Sequence, residues 1–200
     1  MVGKGLTDLF NRIYYLIKLS LFFWSLSATG LFIAGAIPAW IALLEAHKEA
    51  QWQAAEVSWS ACWAIYKTYF KPGLLLLLFF ASIWLLMAWN LFLSVQIKGL
   101  LFLIIDFLLV ALLLLSILTF LISTGLFVEY EILFWNAVKL AFLQIFLTPR
   151  DAVAIVIGMS ILSFLTYHFP GLLVFLSIGM GIAVVQTSTK KIAQKIDAVM

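Results

Sequence analysis

Four long stretches of this chain are almost free of charge, and they hold one carboxylate, Asp106, and one histidine, His168. The charged residues that bound the stretches are Lys18 and Glu45, Lys71 and Lys98, Lys98 and Glu129, and Asp151 and Lys190. A bilayer core is about 30 Å thick, so about 20 apolar residues cross it as a helix. Because a backbone in hydrocarbon must satisfy its own hydrogen bonds, helices are the expected spanning form. The sequence therefore predicts an all-α, polytopic membrane protein.

The composition excludes a water-soluble globule. Of the 200 residues, 66% are hydrophobic and 10% are charged, whereas soluble domains carry about 25% charged residues. This length leaves room for a single membrane domain, 1–200, and no separate soluble domain. The net charge of +3 comes from basic residues beside the apolar stretches. That placement favours anionic membrane lipids as partners and argues against nucleic acid.

Five spans are expected from the apolar stretches, at 19–44, 73–97, 99–124, 152–169 and 171–189. Pro38 should kink the first span near residues 35–37, because it removes a backbone donor. Pro72 stands at a natural helix-entry position and should begin the second span. The last two spans should form a hairpin divided at Pro170-Gly171, since one helix of that length would be nearly twice the hydrocarbon thickness.

Three further segments are expected to be amphipathic helices at the membrane surface, at 6–18, 50–71 and 132–148. The last of these carries several polar residues in an apolar background, and a short sixth span is the alternative. The 50–71 helix has one aromatic face, which is typical of headgroup-level anchors. A helix packed on the protein's own spans would show the same pattern. The anchors predicted on this face are Trp52, Trp59, Trp63, Tyr66 and Phe70.

The positive-inside rule orients this arrangement. With five spans, one side holds eight basic residues and the other four, which places the C-terminus in the cytoplasm and the N-terminus outside. With six spans both termini are cytoplasmic. Residues 1–36 resemble a secretory signal, with Ala34-Gly35-Ala36 imitating a cleavage site. The long leading segment and the smooth continuation through Pro38 favour an uncleaved first span instead.

Soluble-enzyme motifs are missing from the sequence. It contains no GxxxxGK[ST], GxGxxG, HExxH or GxSxG. His47 and His168 are isolated and Cys62 is the only cysteine, so no metal-ligand spacing, Cys–His pair or internal disulfide is visible. We expect no catalytic residues, no cofactor and no metal, and therefore no enzyme.

Three carboxylates are the candidate coupling or substrate residues. Asp106 is the sharpest, because an ionisable residue within a span is costly and marks a functional hypothesis. It lies about 10 Å along its helix from Gly99, so a hydrated carboxylate near the interface is the alternative. Glu129 and Glu131 follow the third span, where solvated residues at a helix end are the simpler interpretation.

Several segments together resemble the bacterial YesL family. They are Leu21-Phe-Phe-Trp-Ser-Leu, Gly35-Ala-Ile-Pro-Ala39, Trp63-Ala-Ile-Tyr-Lys-Thr-Tyr-Phe-Lys71, Asn136-Ala-Val-Lys-Leu-Ala141 and Thr148-Pro-Arg150. The sequence departs from the family in having few basic residues between Glu45 and Phe70, and in carrying Glu129 and Glu131. The resemblance implies a multi-pass protein of the bacterial inner membrane, and family genes often stand beside carbohydrate uptake and degradation systems.

The leading functional hypothesis is an accessory subunit in carbohydrate uptake, with sugar-importer subunits or a second copy of the chain as partners. A small secondary transporter that uses Asp106 as its proton-coupling or substrate site is the alternative. A lipid-modifying enzyme is a third class, and the lack of a visible nucleophile, acid pair or metal set argues against it.

Overall fold

A computed structural model describes residues 2–130 and 132–197, and within them the secondary structure is entirely helical. The prediction of an all-α fold is confirmed. The helices are α1 (Val2–Thr29), α2 (Ile33–Ala50), α3 (Trp59–Ser94), α4 (Leu100–Tyr130), α5 (Phe134–Leu147), α6 (Pro149–His168) and α7 (Ile178–Asp197). A short π-helical segment, Leu173–Ser177, leads directly into α7.

Four helical segments of the described chain are long and apolar enough to cross a bilayer: Trp59–Ser94, Leu100–Tyr130, Pro149–His168 and Leu173–Asp197. They pair as two hairpins, α3 with α4 and α6 with α7, and the second hairpin was expected from the division at Pro170-Gly171. The chain is therefore a helical membrane protein. The 14 residues of α5 give it a length of about 21 Å, which is short for a span.

The stretch 19–44, expected as one span, is two helices. The chain turns at residues 30–32, so that α2 packs back against α1. At this turn a Cβ on Gly30 would lie 2.5 Å from Gly35 Cα, and glycine is what permits so close an approach. The chain therefore changes direction at residues 30–32, earlier than the kink expected near residues 35–37. Pro38 lies within α2. It has no backbone N–H, so one hydrogen bond is missing from the second turn of this helix.

The α1–α2 turn exposes apolar side chains under backbone strain. Leu31 and Phe32 have φ values of 59° and 57°, in the left-handed region that side chains with a Cβ seldom adopt. The Ser27 carbonyl holds the turn by accepting from the backbone N–H groups of Gly30 and Phe32.

The boundary expected at Pro72 is also absent, because α3 runs without interruption from Trp59 to Ser94. The expected surface helix 50–71 therefore begins at Trp59 and continues into the second span. Beside the proline, a Cβ on Gly73 would lie 3.0 Å from Pro38 Cα. The α2 and α3 backbones therefore approach closely beside Pro72, which removes one backbone hydrogen bond from α3.

The main core lies where α1, α2 and α7 meet. Fully buried side chains there include Leu19, Ile41 and Ile182. The Gly179 backbone N–H donates to Ser20 Oγ at 2.9 Å, and this contact is possible because a Cβ on Gly179 would overlap the Leu16 backbone. Small residues thus let α7 approach α1 closely, as is usual between membrane helices.

The first and last helices begin and end at the same end of the molecule. Tyr15 of α1 contacts His47 and Trp52, and α7 residues 190–194 line a cavity together with the same two side chains. The α1–α2 hairpin therefore returns to the end from which it started. The alternative of a sixth span placed it at 132–148, where α5 has 14 residues and is not among the four candidate spans.

The structure divides α4 into two parts of different environment. Of residues 119–128, all but Leu121 are buried, whereas residues 85–118 on α3, its connection and α4 include a single buried residue, Ser94. We call residues 85–118 the distal hairpin. Its α4 part, residues 100–118, is about 28 Å long, close to the thickness of a bilayer core.

Candidate functional site

A polar cavity of about 590 Å³ lies where the C-terminal parts of α2, α4 and α7 converge. Its walls combine lysines, amides, one carboxylate and two aromatic rings, which is an unusual concentration of polar groups in so apolar a chain. The residues that matter for its chemistry are His47, Lys48, Trp52, Glu129, Gln186, Lys190 and Lys191. α2 and α7 each contribute residues one turn apart, because positions three and four apart share a helix face, and α4 contributes Glu129.

Gln186 and Glu129 form the buried wall of this cavity. Gln186 Nε2 donates to Glu129 Oε2 at 3.2 Å, which fixes the amide orientation, since the flipped amide would place two acceptors together. Gln186 is 4% exposed, and its Oε1 has no hydrogen-bond partner. A buried acceptor without a partner is costly, and this one belongs to a residue that lines the cavity.

Three lysines give the cavity a positive charge. Lys48 Nζ donates to the Val128 carbonyl at 2.9 Å and lies 3.9 Å from Glu45 Oε1. Lys190 and Lys191 are exposed at the rim. With Glu129 as the carboxylate among the lining residues, the lining carries a formal charge of about +2.

His47 is a neutral part of the cavity wall. Its Nδ1 lies 2.7 Å from Tyr15 Oη, and its ring packs edge-on against Trp52 with a centroid separation of 5.1 Å. Burial lowers the pKa of His47 to about 4 and raises that of Tyr15 above its usual range. The imidazole is therefore uncharged near neutral pH, and the phenol keeps its proton.

Asp106 lies far from this cavity, in the distal hairpin. It is separated from Glu129 by 23 positions along α4, or about 35 Å. Its Oδ1 is buried and has no hydrogen-bond partner, and the same is true of Ser94 Oγ on α3. The contacts of Phe80 with Phe120 and of Trp84 with Ser116 define an antiparallel register, which brings Ser94 opposite Asp106.

The candidate carboxylates therefore do not form one site. Glu129 lines the polar cavity, Asp106 lies in the distal hairpin, and Glu131 lies outside the residues that the structure describes. Among the described residues, no group of three His, Cys, Asp or Glu side chains is arranged to hold a metal ion.

The predicted aromatic anchors pack largely on the protein itself. Trp59, Trp63, Tyr66 and Phe70 form a continuous ladder along α3. Tyr66 is 3% exposed and Trp63 packs against the main core, whereas Trp59 stays partly exposed beside Phe22. Trp52 precedes the helix and contacts Tyr15 and Arg12 instead. Most of this aromatic face therefore packs on the protein's own helices, as the alternative interpretation predicted.

Sequence reasoning did not assemble the polar cavity. Lys190 and Lys191 were noticed only as a basic end that orients the chain, and Gln186 was not noticed. A helical projection of 186–194 places Gln186 and Lys190 one turn apart, which is a usable signal. The convergence of α2, α4 and α7 depends on tertiary packing that no local pattern encodes.

The first part of the chain matches a known family model. Residues 16–91 match the family model described as Protein of unknown function, DUF624. We call residues 16–91 the DUF624 segment, after the model that they match. YesL is a DUF624 family, so the resemblance inferred from the sequence is confirmed. No curated protein and no solved structure matches the chain.

The DUF624 segment covers the second half of α1, all of α2 and most of α3. It therefore supplies His47, Lys48 and Trp52 to the polar cavity, whereas Glu129 and Gln186 come from helices outside it. The segment ends within the α3 part of the distal hairpin.

Proposed function

We propose that this protein is an accessory subunit of a solute importer and that it docks on the importer's transmembrane helices through the distal hairpin. The proposal assigns it a binding role, with no catalytic step and no cofactor. The YesL resemblance supplies the solute class, carbohydrate, and the location, a bacterial inner membrane. Lys190, Lys191 and Lys195 favour a cytoplasmic C-terminus.

The observation that carries the proposal is the exposure of α4. Its most apolar window has a mean hydropathy of 3.1, yet none of that window is buried within the molecule, whereas 44% of the corresponding window in Leu173–Asp197 is buried. Membrane helices associate through close van der Waals packing and interhelical hydrogen bonds. A long helical hairpin with a single buried residue, Ser94, offers that kind of surface to another membrane protein.

An apolar groove adjoins the distal hairpin where it leaves the bundle. The groove has a volume of about 590 Å³ and lies between α3, α4 and α5, with Phe79, Met87 and Leu112 among its lining residues. Ser116 and Thr119 contribute hydroxyl groups to the same wall. Both hydroxyl groups already donate to carbonyls of α4, and Ser116 also accepts from Trp84 Nε1. Such a groove therefore suits the apolar side chains of a partner helix, which pack by close van der Waals contact.

A small secondary transporter is the second candidate, and Asp106 is the observation that favours it. A shielded carboxylate oxygen without a hydrogen-bond partner is a reasonable place for a coupled proton or a polar substrate. Against this candidate, Asp106 lies about 35 Å along α4 from the polar cavity, so the two do not make a continuous polar path.

Site-specific photo-crosslinking in a bacterial host tests the accessory role. A benzoylphenylalanine at position 107, in the distal hairpin, is compared with one at position 164 on α6, since both native phenylalanines are well exposed, at 79% and 64%. We expect position 107 to crosslink a membrane subunit of a carbohydrate importer, identified by mass spectrometry, and position 164 to give no protein adduct.

Two outcomes would contradict this proposal. Adducts from position 107 that contain only a second copy of the chain would replace the importer subunit with a homo-oligomer. Sugar uptake by the purified protein alone in proteoliposomes, without any importer, would favour the transporter.

A further inference from the structure

We infer that the polar cavity binds the phosphate ester of a polyol, that is, an anionic phosphate whose alcohol part carries free hydroxyl groups. This inference is independent of the proposed docking role, because the cavity lies at the opposite end of α4 from the distal hairpin. Two sources share this chemistry: an anionic lipid with a glycerol headgroup and a free glycerol phosphate.

The lysines define the anionic half of the ligand. Lys190 and Lys191 are consecutive, exposed residues of α7 at the rim, and Lys48 lines the cavity from α2. His47 is neutral and adds no charge, so the excess positive charge of the lining comes from the lysines alone. Ammonium groups make strong, charge-assisted hydrogen bonds to phosphate oxygens, so a phosphate near the rim is the favoured arrangement.

The inner wall defines the hydroxyl half of the ligand. Gln186 Oε1 is buried without a hydrogen-bond partner, and Glu129 Oε2 accepts from Gln186 Nε2 at 3.2 Å. Both groups are acceptors, so a ligand must present donors to them, and a phosphate diester alone has none. Hydroxyl groups supply those donors without adding a positive charge that would oppose the lysines.

The position of the cavity fits a ligand that approaches from the membrane surface. It opens at the ends of α2, α4 and α7, with Trp52 in its wall, and tryptophan is enriched at the level of lipid headgroups. Its volume of about 590 Å³ falls within the usual range for small-molecule sites.

The test measures lipid binding to the purified protein in neutral detergent by native mass spectrometry. Phosphatidylglycerol is compared with phosphatidylethanol, which carries the same single negative charge but no hydroxyl group. We expect phosphatidylglycerol to bind about tenfold more tightly, a difference of about 1.4 kcal/mol. Equal binding of the two lipids would overturn the polyol assignment.

Two sets of variants locate the binding. Lys190→Gln with Lys191→Gln should weaken phosphatidylglycerol binding about tenfold or more, whereas the matched pair Lys98→Gln with Lys139→Gln, exposed elsewhere, should leave it unchanged. Gln186→Met should abolish the preference for phosphatidylglycerol over phosphatidylethanol. Because Gln186 is buried, its replacement also affects the fold, so Glu129→Gln serves as a second variant. The melting temperature and the lipid preference are measured for both variants.

Competition separates the two sources. Displacement of phosphatidylglycerol by millimolar glycerol phosphate would assign the cavity to the free ester, and retention of the lipid would assign it to the headgroup; either result supports the inference. Equal weakening by the two lysine pairs would show diffuse surface attraction and overturn the site.

Discussion

The two parts of α4 belong to one helix and are both apolar, yet one part is buried and the other is exposed. Residues 119–128 are buried among α2, α3 and α7, and Thr124 there accepts from Trp40 Nε1 at 3.2 Å. Residues 100–118 face outward along nearly their whole length and contact mainly the antiparallel part of α3. Apolar content therefore does not distinguish a core helix from an exposed one in a membrane protein.

Small and polar residues account for the difference. The buried part of α4 contains Ser123, Thr124 and Gly125, and a Cβ on Gly125 would overlap the Thr189 side chain of α7. The exposed part is dominated by leucine and isoleucine. Since lipid is as apolar as leucine, close packing of small residues rather than hydrophobicity brings membrane helices together. The exposed part has few small residues on which another helix of the same chain could pack closely.

Truncating one leucine in each part of α4 gives the largest expected contrast. Leu126 is fully buried and Leu103 is 65% exposed. We expect Leu126→Ala to lower the free energy of unfolding by about 3 kcal/mol, because it leaves a cavity, and Leu103→Ala to change it by less than about 0.5 kcal/mol. Thermal unfolding in detergent measures both. Similar losses from the two variants would contradict the division of α4.

Acidification should destabilise the end of the molecule that holds the polar cavity. Burial lowers the pKa of His47 in the folded state to about 4, below its unfolded value of about 6.5. The unfolded chain therefore binds the proton first, so this stability is present above about pH 6.5 and is lost as the pH falls towards 4. By pH 5 we expect a loss of about 2 kcal/mol, measured as a fall in melting temperature from pH 8.

The matched controls for this pH effect are the two histidines. His47→Gln should remove this part of the pH dependence, and His168→Gln should preserve it, since His168 is exposed. An unchanged pH slope in His47→Gln would show that other groups cause the acid sensitivity.

Removing the charge of Asp106 in the distal hairpin should also have a small effect. Asp106→Asn keeps the side-chain size and removes a costly carboxylate from an apolar helix, so the free energy of unfolding should change by less than about 1 kcal/mol. Sugar uptake through the importer should stay at its wild-type rate, with Ser94→Ala as the control at the facing position. Wild-type uptake by this protein alone, lost in Asp106→Asn, would instead identify a coupling site.

The sequence predicted the helices better than their breaks. The charge-free stretches marked the four long apolar helices, and Pro170-Gly171 correctly separated α6 from α7. Pro38 and Pro72 misled because tertiary contacts let helices continue through them, whereas the real turn falls at Gly30, where backbones approach closely. A local sequence pattern shows where proline and glycine stand, but it does not show the neighbouring helix that decides their effect.

The candidate site was less predictable than the fold. Glu129 was identified, but as an alternative to a solvated helix end, and its partner Gln186 lies 57 positions away in the sequence. The pairing exists because α4 and α7 pack closely at Gly125 and Thr189. Aromatic periodicity on α3 likewise identified a face, while its coverage by α1 and α2 required the structure.

The central claim, that the distal hairpin is left uncovered by its own chain for a partner to occupy, can be tested by spin labelling. Nitroxides are placed at positions 107, 126 and 164 in a Cys62→Ala background, and oxygen accessibility is measured in liposomes. For the protein alone we predict high accessibility at 107 and 164 and low accessibility at 126. Addition of the importer should lower it at 107 and leave 164 unchanged. Low accessibility at 107 in the protein alone, or no change there on adding the importer, would contradict the account.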